Sequence, residues 1–156
     1  MKLFGKSLSE YIGFETGFLA LILIVGLGRL GLSLVHVSNS IDKFFSLTAV
    51  LLIGAVVYPI WIWISGFGGY KHIWPVLLLQ WALAQSIVVL GIVISIFSGQ
   101  DNIFSAPEYS PNKVSGRTWT HVGAHVAVVV ILPLVFWVTG LLIMFVTSKI
   151  KGRPNP

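Results

Sequence analysis

The side chains best placed to do chemistry are histidines. His121 and His125 are four residues apart, so on a helix they share one face. His36 lies at the end of an earlier apolar run. Three imidazoles from two helices could bind zinc, copper or another divalent ion. A pair such as His36 and His125 could instead ligate a haem, with Arg117 or Lys113 near its propionates. The structural alternative is that these histidines hydrogen-bond across helices or face interfacial water. An HxxxH spacing without the glutamate of HExxH has little specificity by itself. His72, beside Lys71, reads as an interfacial residue.

Arg29 is the formal charge placed deepest in an apolar run. It would suit an anionic group such as a lipid phosphate, a carboxylate or a haem propionate, and Ser33 and His36 follow it on the same face. Otherwise it snorkels to headgroups one or two turns away. Gln80, Ala84, Gly91 and Ser95 approximate one stripe, of the kind that joins helices by hydrogen bonds and close packing; a quinone or substrate site is the functional alternative. Gly13 and Gly17 form a GxxxG, and Gly28 and Gly31 extend a small-residue face for helix contact, within the chain or with a partner. Glu10 and Glu15 read as flanking the first apolar run, while Asp42, Asp101 and Glu108 fall in connections. On that reading no carboxylate is buried and no midplane proton relay forms. A nucleophile–base pair and a phosphate-binding loop are both missing from the sequence. GFGG at 66–69 lacks the GK[ST] of a P-loop and reads as a turn.

These residues must be positioned by apolar helices. Only 10% of the 156 residues are charged, and the mean hydropathy is +0.92. A soluble domain carries roughly a quarter charged residues, whereas this chain has runs of about 20 apolar residues, enough to cross a bilayer core. The sequence therefore predicts an all-α membrane protein, a single four-span domain with spans at about 14–35, 44–64, 73–97 and 122–146. Ser7 and Glu10 match a capping box that starts the first helix. Residues 1–12 read as interfacial at helical spacing, with the first helix retained rather than cleaved. Pro75 suits the first turn of span three, and Pro133 should kink span four. The long outer loop, 98–120, reads as turns without regular structure.

Lys2, Lys6, Lys71, Lys149, Lys151 and Arg153 fall on one side, against Lys43, Lys113 and Arg117 on the other. This balance puts both termini in the cytoplasm, with Trp61, Trp63, Tyr70 and Trp74 as an aromatic belt. The net charge of +5 is spread over span ends, which suits anionic headgroups and argues against nucleic acid. With no cysteine, disulfides and thiolate ligands are excluded.

Within residues 60–90, the run GFGGYKHIWPVLLLQWALAQS resembles a stretch of the Yip family of small polytopic membrane proteins. There a Gly-rich turn with an aromatic and a basic residue precedes a span opening near a proline. The likeness rests on Gly66, Gly68, Gly69, Tyr70, Lys71 and Pro75. The resemblance implies a non-enzymatic membrane protein. Eukaryotic members usually have five spans and a cytosolic N-terminal region, where this sequence reads as four spans opening close to Met1, and are associated with vesicle-trafficking GTPases.

The expected function is a non-enzymatic component of a bacterial inner membrane or plasma membrane. It would act as an accessory subunit or an organiser of lipid, and its partners would be lipid and other membrane subunits or itself. Two alternatives stand beside it. One is a haem- or metal-binding redox subunit using His36, His121, His125 and Arg29. The other is a small transporter or channel formed by oligomerisation.

Overall fold

A computed structural model describes residues 2–35, 46–109 and 113–152. Two short strands, β1 (Lys2–Leu3) and β2 (Lys6–Ser7), pair antiparallel with Lys2 opposite Ser7 and Leu3 opposite Lys6. The turn between them has positive φ at both central residues, +53° at Phe4 and +91° at Gly5. That is the backbone a two-residue hairpin turn requires. The segment before the first helix is thus a hairpin, where helical spacing had been expected. Ser7 then caps α1 (Leu8–Leu34): Glu10 N–H donates to Ser7 Oγ at 3.3 Å and Ser7 N–H to Glu10 Oε2 at 2.7 Å, the expected capping box.

Three further helices follow: α2 (Leu47–Ile64), α3 (Ile73–Ser98) and α4 (Trp119–Lys151). Ser46 caps α2 by accepting from Ala49 N–H at 3.2 Å, and Thr118 caps α4 by accepting from His121 N–H at 3.1 Å. Pro75 falls in the first turn of α3, and Gly99 ends that helix in the left-handed conformation (φ +72°). Short 3₁₀ turns, Tyr70–His72 and Pro107–Tyr109, punctuate the connections. Each of the four helices is long and apolar enough to cross a membrane. They reach beyond the apolar runs at several ends because capping and charged residues extend them.

The central helix is α3, which packs on α1, α2 and α4, while α2 fills the space between α1 and α4. The buried residues of α3 cover a broad face along its whole length, from Ile73 and Leu77 to Ile87, Val88 and Ile92, while Leu90 on the opposite side is exposed. By contrast α4 buries only Pro133, Gly140 and Met144 among its residues. Its outward face is apolar, with Leu142 66% exposed, as is that of α1, where Ile24 is 71% exposed. An exterior this apolar fits lipid and not water.

Helix approach depends on isolated glycines. A Cβ at Gly26 would lie 2.7 Å from Ile87 Cδ1, and one at Gly140 would lie 3.0 Å from Pro59 Cγ. At Gly13, Gly17, Gly28 and Gly31 it would meet nothing within 4 Å, so these four face outward from the bundle. Among the described residues Glu15 (φ −118°, ψ 15°) departs from helical geometry inside α1, whereas α4 continues through Pro133 as one helix.

Candidate functional site

At the end of the bundle where α1 finishes and α4 begins there is a cavity of about 620 Å³. Arg29 of α1, Gln85 of α3 and His121 and His125 of α4 supply its polar wall. Trp81, Leu51, Val88 and Ile103 supply much of the apolar remainder.

Its roof is the long connection, which is more ordered than its composition suggests. Asn102, Ile103 and Ser105 are buried at 2–3% exposure. Asn102 Nδ2 donates to Gly91 O at 2.6 Å, and Ser105 Oγ donates to Ser95 Oγ at 2.8 Å. Ile103 N–H donates to Ser33 Oγ at 2.8 Å. A Cβ at Gly91 would lie 2.6 Å from Phe104 Cδ2. Gly91 and Ser95, expected at a helix contact, therefore hold the roof. The far side of the loop is tied by Arg117 Nε to Asp101 Oδ1 at 3.3 Å, with Ser115 Oγ donating to the same oxygen at 2.6 Å.

The two histidines meet inside the cavity. His121 Nε2 and His125 Nε2 are 3.1 Å apart. On the other side of each ring, His121 Nδ1 is 2.9 Å from Gly116 O, and His125 Nδ1 is 2.6 Å from Gln85 Oε1. Gly116 is in contact with the His121 imidazole, so no side chain fits there. Each ring nitrogen of His125 thus has a neighbour, Gln85 on one side and His121 on the other. His36, the third histidine considered, lies outside the described residues, as do Asp42, Lys43 and Arg153. Among the described residues no group of three or more His, Cys, Asp or Glu is gathered as a metal cage. Arg29 lies in the cavity wall with its guanidinium carbon 6.0 Å from the Phe104 ring centroid. The sequence groups Arg29 with His121 and His125 as one possible site, and the three line the same cavity.

A second polar centre lies two turns into α1. Glu15 was expected to flank the apolar run; instead it is 1% exposed. Gln80 of α3, fully buried, donates from Nε2 to Glu15 Oε2 at 2.9 Å. The remaining oxygens, Glu15 Oε1 and Gln80 Oε1, are buried without a hydrogen-bond partner. No Lys, Arg or His forms an ion pair with Glu15 among the described residues. Gly54 of α2 is in contact with Gln80 Oε1, and aromatic rings close the surroundings: Phe14 and Phe18 meet Tyr58 edge-on at 5.8 and 5.2 Å. Gln80 thus has the helix-joining place its stripe suggested. Its partner was missed, although the two residues lie equally far past the starts of α1 and α3.

At that end of the bundle the hairpin folds back over the Gly-rich turn. Lys6 Nζ is 4.3 Å from the Phe67 ring centroid, and Tyr11 Oη donates to Leu3 O at 3.1 Å. His72 is buried there, edge-on to Phe4 at 6.2 Å, far in the fold from the cavity histidines.

Comparison with protein-family models, with curated proteins and with solved structures finds no match. The geometry of the site is therefore the basis for any functional reading.

Proposed function

We propose that this chain is a non-enzymatic integral membrane protein whose cavity holds the anionic head of an amphiphile. The four apolar helices span the bilayer with both termini in the cytoplasm, as the lysine and arginine balance supports. The cavity then lies in the outer half, beneath the long loop. The observation that carries the reading is the wall itself: Arg29, Gln85 and two imidazoles converge on a space lined besides by apolar and hydroxyl side chains, among them Leu51, Trp81, Val88, Thr48 and Thr120. Convergent polar groups in an apolar cleft are the usual form of a small-molecule site. A guanidinium favours phosphate or carboxylate among possible head groups. The scarcity of nucleophile–base geometry and the Yip-like turn agree with binding and not with turnover.

The test is ligand-dependent stability in neutral detergent. A short-chain phosphatidylglycerol at a hundred times its Kd should stabilise the protein by about 2.7 kcal/mol, and phosphatidylcholine should not. Arg29→Gln should abolish the difference. Equal stabilisation by both lipids, or an unchanged preference in Arg29→Gln, would overturn the proposal.

A further inference from the structure

The two imidazoles in the cavity face each other, Nε2 to Nε2 at 3.1 Å. Gly116 O can only accept, so His121 Nδ1 is the donor in the contact at 2.9 Å. Gln85 presents Oε1 to His125 Nδ1 at 2.6 Å, so that nitrogen also carries its proton. The separation is short even for N–H···O, which favours an oxygen over an amide nitrogen at that position. A neutral imidazole has one N–H, so both Nε2 atoms are bare, and they lie 3.1 Å apart with lone pairs converging. Metal-ligating histidines are held in this same way, the outer nitrogen donating to a carbonyl while the inner one binds the ion.

We infer that His121 Nε2 and His125 Nε2 form a two-histidine site for a divalent transition-metal ion, with Gly116 O and Gln85 Oε1 fixing the two tautomers. With metal–nitrogen bonds of about 2.0–2.1 Å, nitrogens 3.1 Å apart subtend about 100° at the ion, within the range of tetrahedral or octahedral coordination. Imidazole suits zinc, copper and nickel. The remaining coordination positions open on the cavity, as in sites that keep a place for an exogenous ligand. The inference stands on the imidazole geometry and does not require the lipid-head reading.

The experiment uses the full chain in neutral detergent after chelator treatment. Zn²⁺ binding is followed by calorimetry with elemental analysis, and Co²⁺ by its visible absorption. One equivalent per chain is expected, with a cobalt spectrum typical of nitrogen ligation. His121→Gln and His125→Gln, which keep polarity and size close, should each reduce affinity at least tenfold. Gly116→Ala, which pushes His121 aside, should reduce it as well, and His72→Ala should leave it unchanged. Circular dichroism and melting of each variant separate loss of the site from loss of the fold. Three results would overturn the inference. The first is the lack of stoichiometric binding by folded wild-type protein. The second is undiminished binding by both folded histidine variants. The third is nitrogen NMR of metal-free protein showing His125 Nε2 protonated, which would mean that Gln85 donates and the pair is an ordinary neutral chain. The lipid-head proposal is tested separately, by repeating its melting shifts on metal-free protein.

Discussion

Replacing Glu15 and Gln80 by leucine, singly and together, separates what their contact contributes from what their burial costs. The wild-type pair shares one hydrogen bond of 2.9 Å and leaves two oxygens without partners. Glu15→Leu strands the Gln80 amide entirely, and Gln80→Leu strands the carboxyl. A buried polar group left unsatisfied costs about 1–3 kcal/mol, so each single variant should be destabilised by that amount. The double variant strands nothing and adds apolar contact in a site enclosed by Phe14, Phe18 and Tyr58. It should lie within about 1 kcal/mol of wild type, or above it, because apolar replacement of a buried polar pair is often neutral or stabilising. The non-additivity is then at least about 1 kcal/mol, and about 2 or more where the double variant matches wild type. Interhelical hydrogen bonds in bilayers average only about 0.6 kcal/mol, so coupling of that size comes chiefly from the stranded partner. Reversible unfolding in mixed micelles, with all four proteins compared, measures the cycle. Single-variant effects that add to the double-variant effect within about 0.5 kcal/mol would refute the reasoning. A double variant more stable than wild type would show that the pair is kept at a cost to the fold, as expected of groups retained for function.

Two further substitutions test the packing that frames these sites. Gly54→Ala puts a methyl group against Gln80 Oε1 and within 2.7 Å of Phe18 ring atoms; overpacking of this kind costs about 1–3 kcal/mol, and unfolding in mixed micelles should show it. Asn102→Ala removes the bonds to Gly91 O and Phe104 N–H. It should speed proteolysis within residues 99–118 of the folded protein, with little change in helix content by circular dichroism.

The helices were legible because each is a long apolar run, and the Ser7–Glu10 box marked one start to the residue. The Gly-rich turn and Pro75 were legible for the same local reason. The hairpin was not: strands of two residues leave no periodicity, and Phe4 is an unusual residue at positive φ. Glu15 was missed because its position near a helix start resembles a flanking charge. Its burial is decided by Gln80, 65 residues away in sequence, and by the approach of Gly54. The roof was missed in the same way, since Asn102, Ser33 and Ser95 have ordinary roles until the chain folds back. GxxxG drew attention to Gly13 and Gly17, but the tight contacts occur at lone glycines whose opposing side chains are not visible in one helix's sequence. His121 and His125 were paired correctly by spacing, while Gln85 and Gly116, which orient them, have no such signature.

The uneven seating of α4 bears on how anything reaches the cavity. Its buried residues, Pro133, Gly140 and Met144, run from its middle towards its C-terminal end, and the roof is pinned to α1 and α3. The first half of α4 is a more lightly packed leaf, held through the partly buried Val122, Val128 and Leu132, with Pro133 at the height where a missing backbone bond makes bending cheapest. Outward swing of that leaf would open a sideways path from the surrounding hydrocarbon and carry both histidines away from Gln85 in one movement. A guest arriving from the lipid phase and the imidazole latch that closes behind it would then be two aspects of a single hinge.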